Sequence, residues 1–520
     1  MRILIFHGYL LGGTGSNVYN ARLAAALVGL GHEVHLLCQD RHPREQPFVD
    51  AYGDWDQGKL RLHTLREPVR CTVYRPDIGG LLPVYVADSY EGIQARTFAE
   101  CSDAEIDHYL RANVAAVREL RERVQPQVAL ANHLVMGPVI LARALEGEVP
   151  YAVKVHGSAL EYTVKANPRR FLGPAREGIA GARTILVGSH HTAASLWQAL
   201  GEDGVQERTR LGAPGVDIAS FAPREAQAAR AGVRALGARL AAGSAAAASS
   251  PDAFARDEGA AARALQRIDP DADQLVAFVG KLIVSKGVDL LLAAWPLVLE
   301  QVPRARLVVV GFGAYRDGLE RLSAALGAGD IEAASEIARA GRALEDPGAG
   351  ARPLVLLLAF LAALQGSARE RYLAAAAGLG ERVLWSGRLD HDELTELLPA
   401  CEALVVPSTF PESFGMVAAE AAACGVLPIS AAHSGLLEVS DALAQAVPAG
   451  VAPWLSFALD ENAVAELAQR IIRWLSADQA LRARTREGLV RTVRERWSWE
   501  GVARAVIAAA QGELDALPPP

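Results

Sequence analysis

Apolar runs in the first forty residues are broken once by a glycine-rich polar stretch: RILIF, GYLLGGTGSN, VYNARLAAALVGLGH, then EVHLLC. Strand, turn, helix, strand is the reading, the opening of a βαβ unit. QVALAN, YAVKVHG and TILVGS follow as short strands, separated by helical stretches such as AEIDHYLRANVAAVRELRERV, an alternation that predicts a parallel sheet. From residue 218 to 273 the chain turns to Ala, Arg, Gly and Ser, with AAGSAAAASSP at its centre, and reads as a connector with helical ends. A second α/β pattern then runs through QLVAFVG, RLVVVGFG, RVLWSG, ALVVPS and GVLPIS, interrupted at about 314–380 by an Ala- and Leu-rich helical insert. The expected organisation is an α/β chain of two Rossmann-like domains, 1–217 and 274–495, with a C-terminal helix and Pro-rich tail at 496–520.

With 520 residues, about half of them apolar, the chain is long enough for two cores. A net charge of −8 gives no sign of the basic face that nucleic acid demands, so no nucleic-acid partner is expected. The five cysteines show neither metal-ligand spacing nor a paired framework and read as free thiols of a reducing compartment. MRILIFHGY enters its apolar run after a single Arg and has no cleavage site, which favours a first strand over a signal peptide. PLVLLLAFLAAL is well short of the roughly 20 residues that span a bilayer. A cytoplasmic protein is expected. KANPRRF, with Lys165, Arg169, Arg170 and Phe171, reads as a solvated helix end; the competing readings are a weak contact with the inner face of a membrane and an anionic acceptor.

The most informative segment is STFPESFGMVAAEAAACG, in which Glu412 and Glu420 stand eight positions apart across a predicted helix start. Two helical turns would put both carboxylates along one side, and the amides of Ser413, Phe414, Gly415, Met416 and Val417 would point at a ligand as an anion-attracting helix end. Glu412 would accept from sugar hydroxyls and Glu420 from a ribose; the plain alternative is a dipole-complementing Glu plus an unrelated surface one. GKLIVSKG follows the first strand of the second domain and sets Lys281 and Lys286 beside a helix start, where two cations suit a departing diphosphate; two solvated loop lysines are the alternative. GGTGS allows a close backbone approach at Gly13 or is an ordinary turn. It lacks the spacing of a dinucleotide fingerprint or a P-loop. His156 ends the strand YAVKVH at the edge where α/β proteins place ligands; His133, in ANHLVMG, has a similar position and reads as structural. Asp271 and Asp273, a DAD triplet at the end of the connector, read as solvated charges, not as a metal site.

These segments, together with GHEVHLLC, APGVD, VGKLIVSKGVDLLLAA, SGRLDHDELTELL and SWEGVA, in this order, resemble the family 4 retaining glycosyltransferases of the GT-B fold. The resemblance implies two domains facing across a cleft, with a C-terminal helix crossing back to the first. It further implies a nucleoside diphosphate sugar as donor, no metal or other cofactor, and transfer of a hexosyl group with retention. It places Glu412, Lys281, Lys286 and His156 at the reacting sugar and diphosphate, Gly13 at the donor phosphates, Glu420 at the ribose, and Arg388 and Leu389 at the base. The latter pair also reads as a strand-to-helix loop capped by Asp390 or Asp392. Lys281 stands where the family usually has Arg, exchanging a two-pronged contact for a point charge.

A nucleotide-sugar epimerase or a disaccharide phosphorylase would keep much of this donor site and differ in product. A Rossmann oxidoreductase would need another glycine spacing. A non-catalytic binding module would have lost the charged residues that are all present here. The acceptor, whether sugar, lipid or small molecule, is expected at loops of the first domain around RCTVYRPDIGGLLPVYVADSYEG, and nothing in that stretch names it.

Overall fold

Buried on both faces, the apolar segments have only one economical arrangement, parallel strands with helices packed over them, and the computed structural model adopts it twice. It describes residues 1–13, 15–56, 58–86, 93–201, 204–243, 257–346, 348 and 350–520; Thr14, the ADSYEG end of the expected acceptor loop and most of AAGSAAAASSP lie outside these. Two compact units result, Met1–Gly215 with Trp497–Pro520, and Val216–Arg496.

In the first unit, β1 (Arg2–Phe6) pairs in parallel with β2 (Glu33–Leu37) on one side and with a later strand, Val128–Asn132, on the other. The sheet continues beyond β2 through segments the hydrophobic pattern did not reveal: β3 (Ala51–Asp56), its antiparallel partner β4 (Lys59–Thr64) and β5 (Cys71–Arg75). Charged residues at alternating positions of β3 and β4, the latter largely exposed, hid that hairpin. CTVYR, expected to belong to a loop, is β5 and largely buried in the sheet, a correction. β6 (Leu81–Val84) and β7 (Gln94–Thr97) make a small separate pair. With β8 (Val128–Asn132), β9 (Tyr151–Lys154), β10 (Thr184–Val187) and β11 (Thr209–Leu211), the nine-stranded order is β11-β10-β9-β8-β1-β2-β5-β3-β4. The C-terminal helix Trp499–Gln511 packs on this unit, against the helix Gly15–Gly29 and β9. Its face of Ala503, Ala509 and Ala510 lets the backbones approach, and Leu211 N–H donates to the Pro518 carbonyl at 2.8 Å.

The second unit holds a six-stranded sheet of β12 (Gln274–Val279), β13 (Ala305–Val310), β14 (Val383–Gly387), β15 (Ala403–Val406), β16 (Leu427–Ala431) and β17 (Ser456–Phe457), in the order β14-β13-β12-β15-β16-β17. Both ends of the Ala-rich stretch are helical, Ala226–Gly243 and Glu258–Gln266. They bury Val233, Leu236, Leu240 and Leu265 against each other, the helix His391–Leu397 and β14. The insert contains the helices Arg316–Gly327, Ile331–Ala340, Val355–Ala363 and Gly366–Ala376, the third packed on Val288–Gln301 and Ala463–Leu475. Among the described residues no helix is long and apolar enough to cross a membrane.

One of the charged positions differs from expectation. The Asp273 carboxylate is not solvated: it is 4% exposed and pairs with Arg306 at 2.6 Å and Arg382 at 3.0 Å, tying the start of β12 to β13 and to the residue before β14. Asp271 bridges to Arg230 and Arg234. KANPRRF opens the helix Pro168–Ala180 with Lys165 and Arg169 exposed, as the solvated reading expects, while Phe171 is buried and Arg170 donates to Asp103 and to the carbonyls of Ala99 and Cys101.

Gly287, between β12 and the helix Val288–Gln301, has φ 65°. A Cβ there would stand 2.0 Å from the Pro407 carbonyl oxygen. Gly287→Ala therefore loses more stability than the ~1–2 kcal/mol that a left-handed backbone alone costs, and denaturant unfolding of the variant should give a clearly lower midpoint.

Candidate functional site

Strand order alone locates the site of the second unit. From β12 the chain moves to β13 on one side and later returns as β15 on the other, so the loops after β12 and β15 diverge from neighbouring strands and open a crevice at their C-terminal ends. Residues 280–287 leave β12, residues 407–415 leave β15, and residues 432–433 leave β16 for the helix Ser434–Ala444. The first two loops are stitched by Thr409 N–H donating to the Ser285 carbonyl at 2.8 Å.

Across that stitch the Lys286 ammonium pairs with the Glu412 carboxylate, which also accepts from the Ser408 hydroxyl at 2.7 Å. Burial by itself would raise the Glu412 carboxyl; Lys286, Ser408 and nearby His433 outweigh it and hold the group below the usual carboxylate range. The β16 loop closes the network. His433 Nε2–H donates to the Ser408 carbonyl at 2.7 Å and Nδ1 faces Ser434 Oγ at 3.0 Å, while Ser434 Oγ accepts from Glu412 N–H at 2.9 Å. Ser434 has φ 50°, a strained value for a serine that this network secures. Gly435 N–H donates to the Glu412 carbonyl at 3.0 Å, and a Cβ on Gly435 would meet Phe414 N at 2.6 Å, so the Glu412 loop and the start of the helix Ser434–Ala444 pack backbone on backbone.

The Glu412–Glu420 spacing is not two helical turns. The helix runs Met416–Ala423, with Gly415 as N-cap at φ 115°, so Glu412 stands in the preceding loop while Glu420 is helical and 3% exposed. Ser413, Phe414, Gly415, Met416 and Val417 form the turn and first residues of this helix, whose opening amides have no acceptor within the helix. Glu420 is no surface residue: its carboxylate pairs with His391 at 3.0 Å. His391 opens the helix after β14, bringing the Arg388–Asp390 loop toward Glu420. Asp390 is the N-cap and its N–H donates to Glu393 at 2.7 Å, while Arg388 donates to Asp390 at 2.8 Å and Leu389 is buried. Lys281 and Lys286 share one loop, both half-buried.

Gly13 and His156 belong to the first unit. Gly13, at φ 92°, precedes the helix Gly15–Gly29. Its turn is pinned by Asn17, whose amide donates to the Gly12 carbonyl at 2.6 Å, and by His7, which contacts Asn17 Oδ1 at 3.0 Å and the Leu10 carbonyl at 2.9 Å. At the ends of β8 and β9, Asn132 donates to the Phe6 carbonyl at 3.2 Å, so its Oδ1 takes the proton of His156 Nε2 at 2.8 Å and Nδ1 is the acceptor nitrogen. Burial, with the like charges of His133, Lys154 and His7, pushes His156 well below 6.5, and burial takes His7 to about 4, so both rings are neutral at pH 7. His133, expected to be a structural hydrogen-bonder, differs: it is buried at φ 68°, and neither ring nitrogen has a partner among the described residues. It packs instead among Tyr85, His156 and His7.

Sequence reasoning missed Ser408, His433, Ser434 and His391, along with His7 and Asn17. The signal for His433 and Ser434 was present: AAHSG follows the strand GVLPIS at the edge that singled out His156. Ser408 and His391 carry no pattern of their own.

Two family models match the chain, "Glycosyl transferase 4-like domain" over residues 14–211 and "Glycosyl transferases group 1" over 266–331 and 363–489. The chain is 25% identical over 493 residues to a D-inositol 3-phosphate glycosyltransferase of Frankia alni, covering 91% of this chain and 97% of that one. A Segniliparus rotundus protein of the same name is 30% identical over 265 residues, half of this chain and less than half, 44%, of the relative's length. Among solved structures, sucrose-phosphate synthase from Thermosynechococcus elongatus superposes with a TM-score of 0.58 at 19% identity, covering 99% of both chains. Anabaena HepE in complex with UDP and glucose superposes with 0.55 at 15%, covering 98% of this chain and 99% of that one. With both of its domains matched in sequence and its two parallel-sheet units shared with these enzymes, the chain belongs to the family 4 glycosyltransferases of the GT-B fold.

Proposed function

We propose that this glycosyltransferase moves a hexosyl group from a nucleoside diphosphate sugar, with uridine as the base, to a hydroxyl of a phosphorylated polyol, with retention and without a metal ion. The observation that carries the donor reading is the Lys286–Glu412 pair at the switch point of the second sheet, beside the opening amides of the Met416–Ala423 helix. A diphosphate held there meets a fixed ammonium, a second lysine on the same loop and a helix end, which together stabilise the charge that grows as the sugar departs. That supply of positive charge supports metal independence. The neighbour's complex with UDP and glucose supports uridine and a hexose.

Retention follows from chemistry on one face of the sugar. The acceptor oxygen bonds to the anomeric carbon as the bond to the diphosphate oxygen breaks, and the acceptor proton passes to the departing phosphate. Glu412, tied to Lys286, Ser408 and its own loop, is held as a hydrogen-bond acceptor for sugar hydroxyls rather than as a nucleophile. His156, neutral, offers hydrogen bonding to the sugar without adding a charge.

For the acceptor, the names of the relatives and neighbours, D-inositol 3-phosphate glycosyltransferase and sucrose-phosphate synthase, support a phosphorylated polyhydroxy compound. A cavity of about 540 Å³ in the first unit supports it too, with Gln39, Arg41, Asp54, Trp55, Arg75 and Asp77 among the residues lining it. An indole face suits the apolar side of a sugar ring, and an exposed guanidinium suits a phosphate. The five cysteines, all unpaired thiols, support action in a reducing compartment, the cytoplasm.

UDP at a hundred times its Kd should add about 2.7 kcal/mol to the stability of the wild type, read as a rise in Tm, and Lys286→Ala should lose most of that rise. Glu412→Gln should lower kcat by about 10²-fold or more. NMR of the product should show the donor's anomeric configuration, and EDTA should leave the rate unchanged; an inverted product or an EDTA-sensitive rate would remove that part of the reading. A C4- or C2-epimerised nucleotide sugar as sole product would make the enzyme an epimerase. Arg41→Ala should raise KM for a phosphorylated acceptor about tenfold while leaving the donor KM unchanged; equal effects on phosphorylated and unphosphorylated acceptors would take Arg41 out of acceptor binding.

A further inference from the structure

The stretch 332–362, which neither family model matches, carries one side chain into the site of the second unit. After the helix Ile331–Ala340 the chain turns at Gly341, φ 50°, whose position pairs with Arg352 as an isolated bridge; Arg342 N–H donates to the Arg352 carbonyl at 3.2 Å. The base of the loop is therefore closed. The 3₁₀ turn Arg342–Leu344 then presents Glu345, whose Oε2 accepts from Val284 N–H at 2.8 Å.

Val284 lies in the loop between β12 and Lys286. That loop is held in two layers. On one side Leu282 N–H donates to the Phe312 carbonyl at 2.7 Å, Tyr315 N–H donates to the Leu282 carbonyl at 3.0 Å, and Glu345 takes Val284 N–H. On the other side the Ser285 carbonyl accepts from Thr409 and Lys286 pairs with Glu412. The contact made by Glu345 is thus two residues from the cation it would position. Tyr315, next to the loop, is pushed up by burial, with the charges of Asp289 and Glu345 adding to it.

We infer that the 332–362 insertion braces the diphosphate loop and that Glu345 is a positioning residue for Lys286. This rests on the donor-site reading given above. A carboxylate on the Val284 amide fixes the 3₁₀ turn Val284–Lys286, so the ammonium is already in place when the diphosphate arrives. The added segment then acts on donor affinity, not on the acceptor.

The test compares Glu345→Ala, Glu345→Gln and Lys286→Ala, with UDP affinity by calorimetry, KM and kcat for the sugar donor, and Tm without ligand. Glu345→Ala should weaken UDP binding and raise the donor KM by about three- to tenfold with a smaller change in kcat and an unchanged acceptor KM. Glu345→Gln, which keeps an oxygen of the same reach, should restore most of the UDP affinity. UDP binding unaffected by Glu345→Ala but weakened by Lys286→Ala would overturn the brace and keep the donor site. Equal losses in the Ala and Gln variants, matched by a fall in Tm and a rise in both KM values, would reduce Glu345 to a packing residue and likewise overturn it. UDP binding untouched by Lys286→Ala would remove the donor site itself, and the brace with it.

Discussion

The site of the second unit depends on β12 and β15 lying side by side while their chains leave in opposite directions. Parallel pairing at Val276 with Ala403 and Ala277 with Leu404 brings the two following loops within hydrogen-bonding distance. Close backbone passage is then obligatory. Gly287 has its Cα against the Pro407 carbonyl, and Gly311 and Gly313 pass as closely to the carbonyls of Gly280 and Leu282. Into that contact the chain sets one ammonium and one carboxylate, each about a quarter exposed. Such a pair contributes little net stability, because much of the attraction is spent on desolvation. Its consequence is positional: a lysine whose side chain would otherwise sample many rotamers is held with its charge at the mouth of a helix.

In the donor reading proposed above, a ligand with two phosphates changes that balance. The ammonium has three donors and the Glu412 carboxylate uses one of them, so Lys286 can keep its partner and still serve an incoming anion. Ser408 and the loop contacts of Ser434 and Gly435 keep Glu412 in place meanwhile. The brace proposed for Glu345 belongs to the same logic, since a cation aimed in advance avoids ordering its loop when the ligand binds.

The first unit meets the opposite demand. Its sheet edge gathers the buried His7, His133, Tyr9 and Tyr85 with the half-buried His156 in ring contact. Protonating any of these rings would bury a charge, so burial keeps them neutral and the network is built from oriented dipoles. Asn132 sets the direction of the His156 proton and Asn17 that of His7. Lys154, on β9, is subject to the same force: burial brings its ammonium down to about 7 and its amine donates to the Gly212 carbonyl at 2.5 Å.

Apolar runs such as RILIF, QVALAN, QLVAFV and ALVV were legible as strands because burial on both faces leaves no polar alternation to confuse them, and their order with intervening helices dictated two parallel sheets. The loops bearing Gly13, Lys286, Glu412 and His156 were legible for the same reason: each follows such a strand at its C-terminal end. Strands carried by mixed residues, β3, β4 and β5, were not, since their partners supply what their own pattern lacks. Nor did spacing fix geometry. Eight positions between Glu412 and Glu420 suggested two helical turns, but the backbone of Gly435 and the positive φ of Gly415 keep the helix from starting before Met416. Partners distant along the chain, such as His391 for Glu420, Ser434 for Glu412 and Glu345 for Val284, were decided by tertiary structure alone, because a hydrogen bond depends on where two atoms meet in space and leaves no periodic trace in either segment.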